Sequence, residues 1–527
     1  MNRGREEASG EERGRGWGKE EGRESPAEGQ EVREPRLKRP NRQQLLLRTV
    51  DVEELIPEDH AARAIWAFVE RLDLSGFEES IKAVEGMAGR SAWDPQLLIS
   101  LWIYAYSEGV SSAREMERLC RHHPGYQWLT GMEVINYHTL SDFRVEHQEA
   151  LDELFTQVLG LLSAEGLITL ERVMQDGTKV KACAGGDTFR REEKIRAHLE
   201  LAREQVRQMG DPRGEEVSHR VAKARERAAR EKEEKLEQAL AELEKIRGVK
   251  GRRAAKEEAR VSETDPEARM MKQADGGYAP SYNLQLSTEA AHGLVVGVGV
   301  SQASSDYGEL VGAVEEMEKN LGRVPPQVVA DGGYTSRENI LAMEEKRVDF
   351  LGPLPESASS PGAASLKRRG VDPAFYPEAF GYDPTRNELI CPAGKRLVEI
   401  GKKHDRVGIT RHVYRARGAD CQACPSGQKC CPQNPAQGRT VGRGVEDPVV
   451  AAFRAKMQRE EAKQIYRQRG GVAEFPNAWL KDKIGLRQFR LRGLIKVRME
   501  ALWACLTYNL QQWIRLRWRV QPTLSTA

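Results

Sequence analysis

The chain has 527 residues, too many for one ordinary core, and points to two or three domains. Its 82 Lys and Arg against 80 Asp and Glu leave a net charge of only +2, which rules out an argument for nucleic-acid binding from overall charge. The opening residues are charged rather than leader-like, and no apolar run reaches about 18 residues, so a soluble, cytoplasmic chain with no membrane span is expected.

Residues 1–44 hold eleven cations and ten acids with almost no apolar content, and read as a disordered charged tail. From residue 45 to residue 168 the pattern is helical, with apolar positions at Ile65, Phe68, Leu72, Leu97, Leu98, Leu101, Trp102 and Tyr104. Thr139 and Asp142 read as a capping box opening the helix that carries Phe143, Leu151 and Leu154.

A strand is expected over 173–181, and it delivers Asp176. After it, residues 188–260 form a charged segment with a thin apolar series (Ile195, Leu199, Val206, then Leu236, Leu240, Leu243 and Ile246), broken at Gly210-Asp211-Pro212-Arg213-Gly214. This reads as a helical hairpin, either a contact arm for DNA or a second subunit, or a solvated spacer. Strands follow at 282–288 and 293–300, a helix at 306–321, a strand at 327–330 that delivers Asp331, a helix at 337–346 and a strand at 348–351. Asp275 lacks a buried strand before it and reads as a turn residue, and Asp306 reads as an N-cap or first-turn residue.

Residues 355–445 contain Cys391, Cys421, Cys424, Cys430 and Cys431, five of the eight cysteines. Cys421-x-x-Cys424 with Cys430 has the spacing of a zinc knuckle, Cys391 can donate a fourth thiolate, and a structural Zn2+ is the expectation weighed against a set of reduced thiols. Beyond them comes a helical pattern carrying Tyr466, Arg469, Glu474 and Lys481. From Lys463 to Arg519, 13 cations face three acids, a local excess that suits a phosphate backbone or a solvated helix face. Glu500 lies among Leu494, Val497, Trp503 and Leu506 and reads as a polar-face or structural residue, so Glu474 is the preferred third acid.

Two aspartates at strand tips and a helical glutamate suit two divalent cations over a scissile phosphate, one activating the attacking oxygen and one stabilising the leaving oxygen. Hard carboxylate ligands match Mg2+ or Mn2+. At Gln175-Asp176-Gly177-Thr178, at Ala330-Asp331-Gly332-Gly333-Tyr334 and at the Tyr466, Arg469, Glu474, Lys481 series, the chain resembles the DDE-type insertion-sequence transposases of bacteria. The likeness extends through Asp265-Pro266-Glu267-Ala268-Arg269, Ser281-Tyr282-Asn283-Leu284-Gln285 and Tyr137-His138-Thr139-Leu140-Ser141-Asp142-Phe143-Arg144, over roughly residues 45 to 515.

The resemblance implies an α/β chain in which an RNase H-like mixed sheet flanked by helices (169–520) follows an all-α, helix-turn-helix-like DNA-binding domain (45–168). The 188–260 hairpin and the Cys-rich 355–445 segment would interrupt it. It further implies catalytic, metal-binding Asp176, Asp331 and Glu474, and DNA contacts from Tyr466, Arg469 and Lys481, with Arg114, Arg118 and Arg121 on the helical front. The expected partner is double-stranded DNA, both terminal inverted repeats and target, bound by a nucleoid-associated homodimer. The runner-up readings are a metal-dependent nuclease without strand transfer and a non-catalytic DNA-binding relic.

Overall fold

The computed structural model describes residues 42–518, apart from 44, 46, 48, 80, 82, 84–90, 210–218, 250–257, 355–362 and 405–408. The expected tail over 1–44, except Arg42 and Gln43, and the expected break at Gly210–Gly214 thus lie outside the described residues.

A mixed sheet is built from β1 (Arg172–Lys181), β2 (Arg269–Lys272), β3 (Tyr278–Glu289), β4 (Val295–Ser301), β5 (Gln327–Ala330) and β6 (Asp349–Leu351). β3 runs antiparallel to β1 on one side and to β2 and β4 on the other. On the far side of β1, β5 and then β6 add in parallel. Residue alternation divides the two faces. Val173, Val328 and Phe350 enter the main core, while Met174, Val329 and Leu351 pack on the opposite face against Ala462 and Ala473 of the helix Glu460–Asp482.

The main core extends without a break from the sheet into the front helices, which include Ala61–Val69, Pro95–Ser107 and Gln148–Ala164, and into the apolar helix Leu494–Trp513. Polar ties reinforce that packing. Trp503 donates its indole N–H to the Arg144 carbonyl at 3.3 Å, and Arg498 pairs with Asp152 at 2.5 Å and Glu316 at 2.9 Å. The helices Glu192–Met209 and His219–Val249 pack along a seam of Ile195, Leu199, Leu236 and Leu243, and the short strands Phe189–Arg190 and Val261–Ser262 pair at their base. Farther along, five strands between Gly381 and Glu446 form an antiparallel meander.

Several expectations are corrected. Asp176 is not at a strand tip, because β1 continues to Lys181 by pairing with β3, a partner about a hundred positions away. The helix Tyr137–Glu146 is opened by Asn136, whose side chain accepts the His138 N–H at 2.8 Å, so Thr139 and Asp142 lie inside it. The helix expected from residue 306 begins at Glu309 after Gly308, and Asp306 does not cap it with its side chain. The residues Met271 and Lys272, ahead of Asp275, do form a short strand, but Asp275 sits in the turn after it, as expected.

Candidate active site

The last residues paired between β1 and β5 are Gln175 and Ala330. The next residue on each strand is an aspartate. Parallel neighbours lie about 4.8 Å apart, so Asp176 and Asp331 stand side by side, Asp176 still within β1 and Asp331 one residue past the end of β5. On β1 the even-numbered residues face the helix Glu460–Asp482, and Asp176 therefore projects beneath it.

That helix addresses Asp176 with two side chains. Arg469 Nη2 donates to Oδ1 at 2.6 Å, and Asn477 Nδ2 donates to Oδ2 at 2.9 Å. The same Arg469 nitrogen is 3.9 Å from Asp331 Oδ2, so one guanidinium spans both carboxylates. Two turns separate positions 469 and 477, with buried Ala473 between them on the inward face. Burial lifts the Asp176 carboxyl to about 6, Arg469 pulling it down and Asp331 pushing it up. Asp331 is more open to solvent and accepts the Gly333 N–H at 2.7 Å.

Tyr466 lies half-buried one turn before Arg469 and faces the same acids, which together with burial raise its phenol. Lys481 donates to Thr178 Oγ1 on β1, and burial lowers its ammonium. Glu474 is on the exposed flank of the helix and forms no hydrogen bond or ion pair among the described residues. Beside it, Gly470 and Gly471 leave the surface open: a Cβ on Gly470 would meet only Glu474 Oε1, at 3.8 Å, and one on Gly471 would meet nothing. Among the described residues, no three His, Cys, Asp or Glu side chains stand ready as a metal-ligand set. The two paired aspartates are hard oxygen donors of the kind Mg2+ takes, and the third acid stands apart from them.

Beneath Asp176, on the opposite face of β1, is a polar network that the sequence did not suggest. Asp306 Oδ1 accepts from Asn283 and Gln285, each at 2.7 Å, and lies 3.7 Å from Lys179 Nζ. Gln285 also accepts from Gln175 and from the buried Tyr334 hydroxyl. Gly177 is required here, because a Cβ would come within 2.4 Å of Asp306 Oδ1.

Comparison with known families adds two matches. Residues 390–514 match the Transposase DDE domain, and residues 50–146 match the Transposase domain (DUF772). The two matches support an insertion-sequence DDE transposase. No curated protein and no solved structure matches it. The DDE-domain match takes in Tyr466, Arg469, Glu474 and Lys481 but begins downstream of both aspartates.

The remaining expected residues lie elsewhere. Arg118 on the helix Ala113–Cys120 and Arg121, its C-cap, pair with Glu115 and Glu117 one turn back, and Arg114 covers the Tyr137 ring at 5.0 Å. Solvent screens these exposed pairs, and they add little to stability. Glu500 is fully buried and accepts the backbone N–H groups of Arg490 and Leu491, a structural role. Cys391, Cys421, Cys424, Cys430 and Cys431 line one cavity. Among the described residues, no helix is long and apolar enough to cross a membrane.

Asn477 was missed. Its signal was its place eight residues after Arg469, on the same inward stripe, but an Asn in a helix carries no chemistry of its own until its partner is known.

Proposed function

We propose that the chain acts as a transposase that cuts DNA at the ends of its own element and joins the freed 3′-hydroxyls to target DNA by in-line phosphoryl transfer. The observation that carries the reading is the side-by-side placement of Asp176 and Asp331 on neighbouring strands, bridged by Arg469 of the helix that also bears Glu474. The strand succession, four strands in antiparallel pairing (β1–β4) followed by two that add in parallel (β5 and β6), supports an RNase H-like catalytic fold.

Asp176 and Asp331, joined by Glu474, would hold Mg2+ or Mn2+, which when bound supplies an activated attacking oxygen and a stabilised leaving oxygen. The chain's own part is positioning and neutralisation. Asn477 fixes the orientation of the Asp176 carboxylate, and Arg469 balances the charge of the acid pair and can neutralise phosphate as DNA enters. Lys481, anchored on Thr178, and Tyr466 flank the strand to be cut. The Gly470-Gly471 opening lets a DNA backbone approach Glu474 closely.

In this reading the front helices recognise the terminal inverted repeats, with Arg114, Arg118 and Arg121 on phosphates, and two chains act together at paired ends in the nucleoid. The test uses labelled DNA carrying the repeats that flank the coding region. With Mg2+, joining of a pre-cut 3′-hydroxyl end to a second duplex supports the proposal. Nicking without joining would leave a nuclease, and binding without either would leave a DNA-binding relic.

A further inference from the structure

The cysteine-bearing segment is remote in chemistry from the acid site, and its side chains converge. The turn Cys391-Pro392-Ala393-Gly394 closes with a Gly394 N–H to Cys391 carbonyl bond at 2.8 Å, with Gly394 left-handed at φ 75°. It presents the Cys391 sulfur to the Lys395 N–H at 3.3 Å. Cys421 lies one residue before the end of the short helix Gly418–Gln422, and its sulfur accepts the Arg439 N–H, also at 3.3 Å. Gly427 packs so close that a Cβ would fall 2.6 Å from the Cys421 carbonyl oxygen, which draws the Cys424 and Cys430 turns against Cys421. The enclosed space is a cavity of about 30 Å³, room for a single ion.

A second observation is independent of the thiols. Arg439 lines the same cavity, is 6% exposed, and donates Nη2 to the Phe375 carbonyl at 3.1 Å. Its Nε is buried with no hydrogen-bond partner, and no carboxylate pairs with the guanidinium among the described residues. A buried cation without a counter-charge is costly.

We propose that Cys391, Cys421, Cys424 and Cys430 bind one structural zinc ion, and that Arg439 is the counter-charge of this thiolate centre. Four thiolates around Zn2+ carry two net negative charges, which supply what Arg439 lacks. Backbone N–H groups are already aimed at two of the sulfurs, those of Cys391 and Cys421. Cys431 is left out, because its sulfur donates to the Asn434 carbonyl at 3.4 Å. The thiols line the cavity without standing as a finished ligand set, so binding rotates them inward about their Cα–Cβ bonds and releases their protons to solvent.

Metal analysis of the full chain, purified without chelator, is expected to give about one zinc per chain. Replacement by Co2+ should give the absorption of a tetrahedral thiolate site. Cys424→Ser should lose the zinc and lower Tm, while Cys183→Ser and Cys431→Ser keep it, and Arg439→Met should weaken zinc binding by about tenfold or more. The wild-type metal content and cobalt spectrum decide the matter even where a variant fails to fold. Absence of zinc with all five thiols freely reactive in the native protein would overturn the proposal, as would full zinc retention by both Cys421→Ser and Cys424→Ser.

Discussion

Arg469 and Asp176, 293 positions apart in sequence, meet at 2.6 Å where the helix Glu460–Asp482 packs on the central strand β1. Burial keeps the Asp176 carboxyl near 6, and Arg469 is what holds it from rising further. Below that pH the carboxyl is protonated and a metal must displace the proton; above it the carboxylate is free to bind. Apparent Mn2+ affinity should therefore fall by up to about tenfold per pH unit below 6 and level off above it. In Arg469→Ala the inflection should move to higher pH. Calorimetric titration between pH 5 and 8 checks this, and an inflection that does not move would mean that Arg469 has no hold on the acid.

Asn477 should matter through its direction of donation. Asn477→Asp replaces an N–H donor with a carboxylate against Asp176; like-charge repulsion should raise the Asp176 carboxyl further and weaken metal binding at acid pH, where the metal must displace a more tightly held proton. Asn477→Ala removes the hydrogen bonds to Asp176 and to the Ala473 carbonyl and should cost about 1–2 kcal/mol of stability. Equal metal affinity in wild type and Asn477→Asp would remove Asn477 from the site.

Cations near the cut should be felt in salt dependence. Arg469→Ala and Lys481→Ala should each weaken binding to all DNA sequences alike and reduce the slope of log affinity against log salt by about one. Unchanged slopes in both would return these residues to a purely structural role.

Glu500 supplies a contrasting control. Glu500→Ala leaves the backbone N–H groups of Arg490 and Leu491 without their buried acceptor and should cost about 2–5 kcal/mol of stability. Cleavage per folded molecule should persist. Loss of cleavage in a well-folded Glu500→Gln variant would instead make Glu500 the third acid.

Much of this arrangement was legible residue by residue. The strand at 327–330 ends one residue before Asp331, and the hairpin helices showed their seam, because in both cases a short local pattern coincides with the element. What escaped depends on partners distant in sequence. Asp176 looked like a strand end because Gly177 follows it, whereas pairing with β3 carries the strand onward and Gly177 makes room for Asp306. Asp306 looked like a helix cap, yet Asn283 and Gln285 from β3 claim its carboxylate. Asn136 took the cap assigned to Thr139 because its side-chain oxygen accepts the His138 N–H, so the helix starts at Tyr137, ahead of Thr139.

The most direct test of the account is Mg2+-dependent nicking of element-end DNA by four variants at matched binding: Asp176→Asn, Asp331→Asn, Glu474→Gln and Glu500→Gln. The account predicts that the first three bind DNA but do not cut it, and that the fourth cuts. Full cleavage by Glu474→Gln, or by either aspartate variant, would contradict it.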